Sequence, residues 1–119
     1  MSLKILLVED EIKIAEFVIP DLIQCDYTVN HILDGAEGLA AILEGDYDLV
    51  LLDVMLPTLD GFAILEKVRQ SGNNVPIIFL TAKTMKEDVL KGYKVGADDY
   101  LNKPFDSEVL LMKIKAIIQ

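Results

Sequence analysis

Four short segments carry side chains able to handle a phosphoryl group or a divalent cation: Glu9-Asp10-Glu11, Asp53, Thr81 and Lys103-Pro104. Each closes or follows a run of aliphatic residues, so whether they meet depends on where those runs end in space. Acidic side chains gathered at one edge repel one another, and a bound divalent cation with oxygen ligands relieves that repulsion. Magnesium takes about six oxygens, keeps several waters and uses only one or two carboxylates. Asp10 and Asp53 with a nearby backbone carbonyl would satisfy it. Thr81 adds a hydroxyl and Lys103 a point positive charge, the groups that hold phosphoryl oxygens. With Asp53 as nucleophile, these are the parts needed for phosphoryl transfer to an aspartate. Taken singly, each has a plain structural reading: Glu9 and Asp10 as solvated loop charges, Asp53 and Thr81 as helix caps, Lys103 as a surface ion pair. Their common position at strand ends is what joins them into a site.

The elements that must position them are legible as five runs rich in Ile, Leu and Val: Leu3 to Val8, Tyr27 to Leu33, Leu49 to Leu52, Pro76 to Leu80 and Tyr100 to Leu101. The first, third and fourth are almost continuously apolar, as strands covered on both faces are, which predicts a parallel sheet between helix layers. The intervening segments place apolar residues three and four apart: Ile14, Val18, Leu22; then Ala36, Leu39, Ala40, Leu43; then Phe62, Leu65, Val68; then Val89, Val95; then Leu110, Leu111, Ile114, Ile117. Asp34-Gly35, Asp60-Gly61 and Gly96 are among the turn signals between them. Five strand-helix units with right-handed crossovers give a doubly wound α/β sheet, whose ligand site lies beyond the carboxyl ends of the strands at the switch in strand order. Pro20, inside the first helix, predicts a kink or break there.

A chain of 119 residues is sized for one domain, 1–119, and 52% hydrophobic with 26% charged residues is the balance of a folded globular protein. Eleven basic against 20 acidic residues leave a net charge of −9, which argues against direct binding of nucleic acid or anionic membrane by this domain. No apolar run approaches the ~20 residues of a membrane span, and the N-terminus enters the first strand without a secretory leader, so a cytoplasmic location is expected. Cys25 has no second cysteine to pair with and reads as a reduced thiol without a role. His31 falls on the second strand or its edge, away from the acidic cluster, and is not a phosphodonor.

Five motifs in order, Ile5 to Glu11, Asp48 to Pro57, Asp60-Gly61, Pro76 to Ala82 and Gly96 to Phe105, make the sequence resemble a response regulator receiver domain, the phosphoacceptor module of bacterial two-component signalling, over essentially its whole length. The resemblance implies a flavodoxin-like (βα)5 fold with strand order 2-1-3-4-5. It implies that Asp53 accepts a phosphoryl group from a partner histidine kinase, and that Asp10 and Asp53 bind Mg2+ directly. Glu9 would assist through water and Met55 would lend its backbone carbonyl. Thr81 and Lys103 would contact the phosphoryl oxygens. A switch is implied in which Thr81 moves toward the new phosphoryl group and Tyr100 rotates inward, altering the surface of the fourth helix, fifth strand and fifth helix. Lys103-Pro104 matches a family pair whose peptide is cis. Such a domain signals, and takes part in its own phosphorylation and dephosphorylation, without being an enzyme.

The context of Asp98-Asp99-Tyr100 most resembles regulators that carry a winged-helix DNA-binding domain and dimerise when phosphorylated. There Asp98 and Asp99 would meet basic partners at Lys113 and Lys115 across the dimer, while a third pair falls on Val89 and Val109, which cannot form a salt bridge. Ile12, Ala15, Ile19 and Ile23 flank the first helix's stripe and read either as a docking surface for the kinase or as wide burial. Met55 and Lys83 occupy the positions that tune acyl phosphate lifetime in the family, and an apolar Met55 cannot orient an attacking water, so slow self-dephosphorylation is expected. A small aspartyl-phosphate phosphatase of the haloacid dehalogenase kind would need an aspartate where Met55 stands. A flavodoxin-like cofactor carrier would need a hydroxyl-rich loop where Glu9-Asp10-Glu11 would repel a flavin phosphate. A phosphate-independent interaction module would be expected to lack one of the acidic, threonine or lysine positions, all of which are present.

Overall fold

The computed structural model describes residues 3–82, 90 and 95–118. The predicted fourth helix, with Val89, and Lys83 fall outside the described residues, Leu90 and Val95 apart. The elements run β1 (Lys4–Val8), α1 (Ile12–Gln24), β2 (Thr28–Ile32), α2 (Gly35–Glu44), β3 (Leu49–Asp53), α3 (Gly61–Gln70), β4 (Ile77–Thr81), β5 (Asp99–Asn102) and a C-terminal helix (Ser107–Ile118). All five strands are parallel, in the order β2-β1-β3-β4-β5. The order reverses between β1 and β3, so the crevice that a doubly wound sheet offers to ligands opens beyond Val8 and Asp53.

Continuous apolar runs became strands because both sheet faces are covered. β3 and β4 are buried throughout and β1 from its second residue on, whereas the edge strand β2 alternates between exposed and half-buried. Ile5, Leu7, Leu49, Leu51, Ile78 and Leu80 form one core with α1 and the C-terminal helix. Leu6, Val8, Val50, Leu52, Ile77 and Phe79 form the other with α2 and α3. Among the described residues no helix is long and apolar enough to cross a membrane.

Two expectations are corrected. Of the kink or break expected at Pro20, the break does not occur: α1 runs through it. Pro20 is exposed, on the solvent side, where water can satisfy the carbonyl that its missing N–H leaves behind. The buried face of α2 is Gly35, Gly38 and Ile42, while Ala36, Ala40 and Leu43 are exposed. A Cβ on Gly38 would lie 2.7 Å from Val8 Cγ1, and one on Gly35 would run into the Leu59 carbonyl oxygen. Two glycines therefore let this helix lie directly on β1 and on the loop after β3. On α1 the fully buried positions are Ala15, Val18 and Leu22, with Ile14 and Ile19 half-buried and Ile12 and Ile23 exposed.

The loop after β3 is stitched to the start of α2. Gly35 N donates to Pro57 O at 3.1 Å and Ala36 N to Thr58 Oγ1 at 3.0 Å. Asp34 caps the helix by accepting from Glu37 N at 3.0 Å, and that bond, with a further one from Thr58, holds its carboxyl below the usual carboxylate range. Thr58 makes its bond from φ 68, a left-handed conformation that a β-branched residue adopts only under constraint. Thr58→Ala keeps much of that strain and loses the hydroxyl's bonds to Ala36 N and Asp34, so urea unfolding should show a loss of about 1 kcal/mol or more. Thr58→Gly also loses these bonds but relieves the strain, and should be the more stable of the two variants. An alanine variant as stable as the glycine one would show that the conformation costs nothing.

Candidate functional site

Strand ends converge as the crevice requires. Glu9 follows β1, Asp53 and Thr81 are the last residues of β3 and β4, and Lys103 follows β5. Glu9, Asp53 and Thr81 are buried, and Asp10 is exposed at the rim. Lys103 Nζ sits 2.7 Å from Glu9 Oε1, 3.3 Å from Asp53 Oδ2 and 3.2 Å from Glu11 Oε1. Its backbone N–H donates to Thr81 O at 2.8 Å, which carries the β4–β5 ladder past the last paired residues, Thr81 and Asn102. The Lys103–Pro104 peptide is cis. Asp53 Oδ1 accepts from Met55 N at 3.2 Å, and Glu9 Oε2 accepts from Glu11 N at 3.2 Å.

Carboxylate oxygens of Glu9, Asp10 and Asp53 lie within 4.8 Å of one another. A set of hard oxygens, two of them on buried side chains, is the donor chemistry that suits magnesium, as it does calcium and manganese, and it lacks the nitrogen and sulfur ligands typical of zinc and copper sites. Burial pushes the Glu9 carboxyl from its ordinary 4.5 up to about 7, with the Asp53 charge adding to the rise and Lys103 opposing it. Burial disfavours the Lys103 charge, but Glu9, Asp53 and Glu11 outweigh it and raise the ammonium above its ordinary pKa.

Tyr100 is buried, its ring packed on Phe79 with centroids 5.2 Å apart. Asp98 and Asp99 are engaged within the chain. Asp99 Oδ2 is 2.9 Å from Lys113 Nζ, and Asp98 Oδ2 accepts from Ile77 N at 2.8 Å and from Arg69 at 3.3 Å. Lys115 is exposed on the same helix as Lys113. Two residues have a structural hold on this region that sequence reasoning does not give them: Arg69, which is not singled out there, and His31, which is placed away from the acidic cluster. Arg69 also donates to the carbonyls of Gly96, Asn73 and Val75, tying α3 to the approach to β5. His31 Nε2 bonds the Glu9 carbonyl at 2.8 Å. Both reach backbone oxygens, for which residue type carries no signal; for His31 the parallel register beside β1 was the available clue.

A family model, the response regulator receiver domain, matches residues 5–115, and the chain belongs to that family. It is 45% identical over 118 residues to the transcriptional regulatory protein RprY of Bacteroides fragilis, covering 99% of this chain and 50% of that protein. The chain spans about half the length of the curated relatives it matches. Among solved structures, the receiver domain of a Francisella response regulator superposes with a TM-score of 0.93 at 33% identity, over 98% of this chain and 97% of that one. A receiver domain of a sensor histidine kinase from Pseudomonas aeruginosa, with a magnesium ion coordinated in its active site cleft, superposes at 0.90 with 32% identity, over 99% and 98%. The two-component receiver class and its doubly wound fold thus stand on sequence and structure together.

A carboxyl whose pKa is higher folded than unfolded favours the fold while protonated. Glu9 therefore stabilises the metal-free chain below about pH 4.5, and that contribution is lost as pH rises toward 7. In chelator, the stability of the natural chain relative to Glu9→Gln should fall between these limits and level off above them, read by urea unfolding at several pH values. A difference constant across that range would place the Glu9 pKa at its ordinary value.

Proposed function

We propose that this domain is a phosphorylation-dependent signalling switch that accepts a phosphoryl group from a partner histidine kinase onto Asp53. The observation that carries the reading is the buried Asp53 carboxylate with Lys103 Nζ at 3.3 Å and two further carboxylates beside it, at the end of a parallel sheet. Glu9, Asp10 and Asp53, with the Met55 carbonyl, would hold magnesium, which when bound offsets negative charge on the transferring phosphoryl oxygens. In the transfer, an Asp53 oxygen attacks phosphorus, the bond from phosphorus to the donor imidazole nitrogen breaks, and the electron pair stays on that nitrogen. Lys103 and the Thr81 hydroxyl would take the phosphoryl oxygens. The domain then acts as a phosphoacceptor rather than as a catalyst working on an outside substrate.

Beside Lys103 a groove of about 600 Å³ is walled by Ile14, Phe17, Pro104 and Phe105. Phe17 is 54% exposed and meets Phe105 edge to face at 6.4 Å, an apolar strip suited to a helix of the kinase. The relatives named as transcriptional regulators favour a transcriptional output through an effector domain. A phosphorylation-dependent homodimer would use the β5 and C-terminal helix face, where Val109 and Met112 are exposed. Its inter-chain pairs would have to draw Asp98 and Asp99 away from Arg69 and Lys113.

Incubation with a small-molecule phosphodonor should add one phosphoryl group to the intact mass, and only when magnesium is present and Asp53 intact. Asp53→Asn should take up none; an adduct on that variant would refute the assignment. The acyl phosphate of the natural chain should decay slowly. Met55→Asn, which supplies a side chain able to hold water, should speed the decay relative to Met55→Ala.

A further inference from the structure

We infer that His31 is a positioning residue for the acidic pocket: from the edge strand β2, its imidazole holds the Glu9 carbonyl and thereby sets the Glu9–Asp10 peptide that carries two of the three clustered carboxylates. The inference deepens the receiver reading and rests on it.

Register makes the contact possible. His31 lies opposite Leu7 and Ile32 opposite Val8, and the Glu9 N–H continues the ladder to Ile32 O at 3.0 Å. The Glu9 carbonyl then turns to His31 Nε2, 2.8 Å away. A strand side chain leaning along the strand reaches a group two residues further on across the pair. Because a carbonyl can only accept, Nε2 carries the hydrogen.

Holding that oxygen holds more than one atom. The peptide from Glu9 to Asp10 is planar, so its orientation fixes ψ of Glu9 and φ of Asp10 together. The Glu9 side chain is anchored separately, buried against Lys103, whereas Asp10 is exposed. Asp10 thus depends on its backbone for direction, and His31 grips that backbone from outside the pocket. Beside the ring is a cavity of about 350 Å³ walled by Ile12, Ala15, Ile19, Pro20 and Glu16. Apart from the Glu16 side chain these walls are apolar, and they leave room for a flat side chain of similar size. Hydrogen bonds that orient ligand-bearing groups typically change metal affinity by 10–100-fold when removed.

The test is calorimetric titration of magnesium chloride into the natural chain, His31→Phe and His31→Gln. Phenylalanine keeps a flat ring and loses the donor; glutamine keeps a donor at the same reach. We expect magnesium binding about tenfold weaker in His31→Phe, the low end of what such a bond contributes, and close to natural in His31→Gln. His31→Phe binding as tightly as the natural chain overturns the inference, and so does His31→Gln as weak as His31→Phe, since shape rather than the donor would then matter. A natural chain that binds no magnesium overturns the receiver reading instead. The tie itself is read without metal: the backbone amide resonance of Asp10 should move in His31→Phe and stay near its natural position in His31→Gln. An imidazole whose hydrogen sits on Nδ1 alone in the natural chain would also overturn it.

Discussion

Two carboxylates cannot be buried side by side at the end of a sheet unless a positive charge is brought in to meet them, and here the charge is Lys103. Its ammonium stands between Glu9 and Asp53 at 2.7 and 3.3 Å. Leaving a buried charge uncompensated costs several kcal/mol, comparable with the net stability of a domain. The strand order meets this requirement. Glu9 comes from β1, Asp53 from β3 and Lys103 from beyond β5, so β4 must bridge them, and it does so with Leu80 beside Asp53 and Thr81 beside Asn102. A slip of one residue between β4 and β5 would turn their side chains to the opposite faces and carry Lys103 away from the acids.

The loop after β3 is constrained from the helix side with similar economy. Gly61 opens α3, and a Cβ there would lie 2.5 Å from the Asp53 carbonyl oxygen and 2.9 Å from the Phe79 ring. Its N–H donates to Val54 O at 2.8 Å while Asp60 caps the helix at Ala63 N. Gly35 and Thr58 hold the other side of the same loop against α2. The segment carrying Met55 is thereby pinned at both ends, which is what its carbonyl would need if it faces the cation as proposed.

Strands and the acidic, threonine and lysine positions were legible because both faces of the sheet are covered and because chemistry sits where aliphatic runs end. The helix faces were less so. The α2 stripe was misplaced because glycines, absent from any hydrophobic pattern, are its buried surface, and they matter for what they lack. Pro20 reads as a breaker when only sequence is considered, yet an exposed position tolerates it. The contacts of Arg69 and His31 were missed for a different reason: they satisfy carbonyls, which every residue owns, so residue type does not mark the partner. Asp98 and Asp99 were readable as charged partners, but that their counter-ions lie in the same chain depended on tertiary placement.

The same alternation that gathers the site also connects it to the far face. Thr81 and Phe79 point to one side of β4, and Phe79 lies opposite Tyr100 on β5. Phe79 is packed between Phe62 and Tyr100, with centroids 5.3 and 5.2 Å from it. Close-packed aromatic rings do not deform by degrees; they change arrangement. In the proposed switch, a shift of Thr81 toward a phosphoryl group on Asp53 would change the volume beside this row, and Tyr100 is the member that belongs to β5. In that reading the charge event at Asp53 would be separated from β5 by one strand and one row of rings, a distance that packing alone can span.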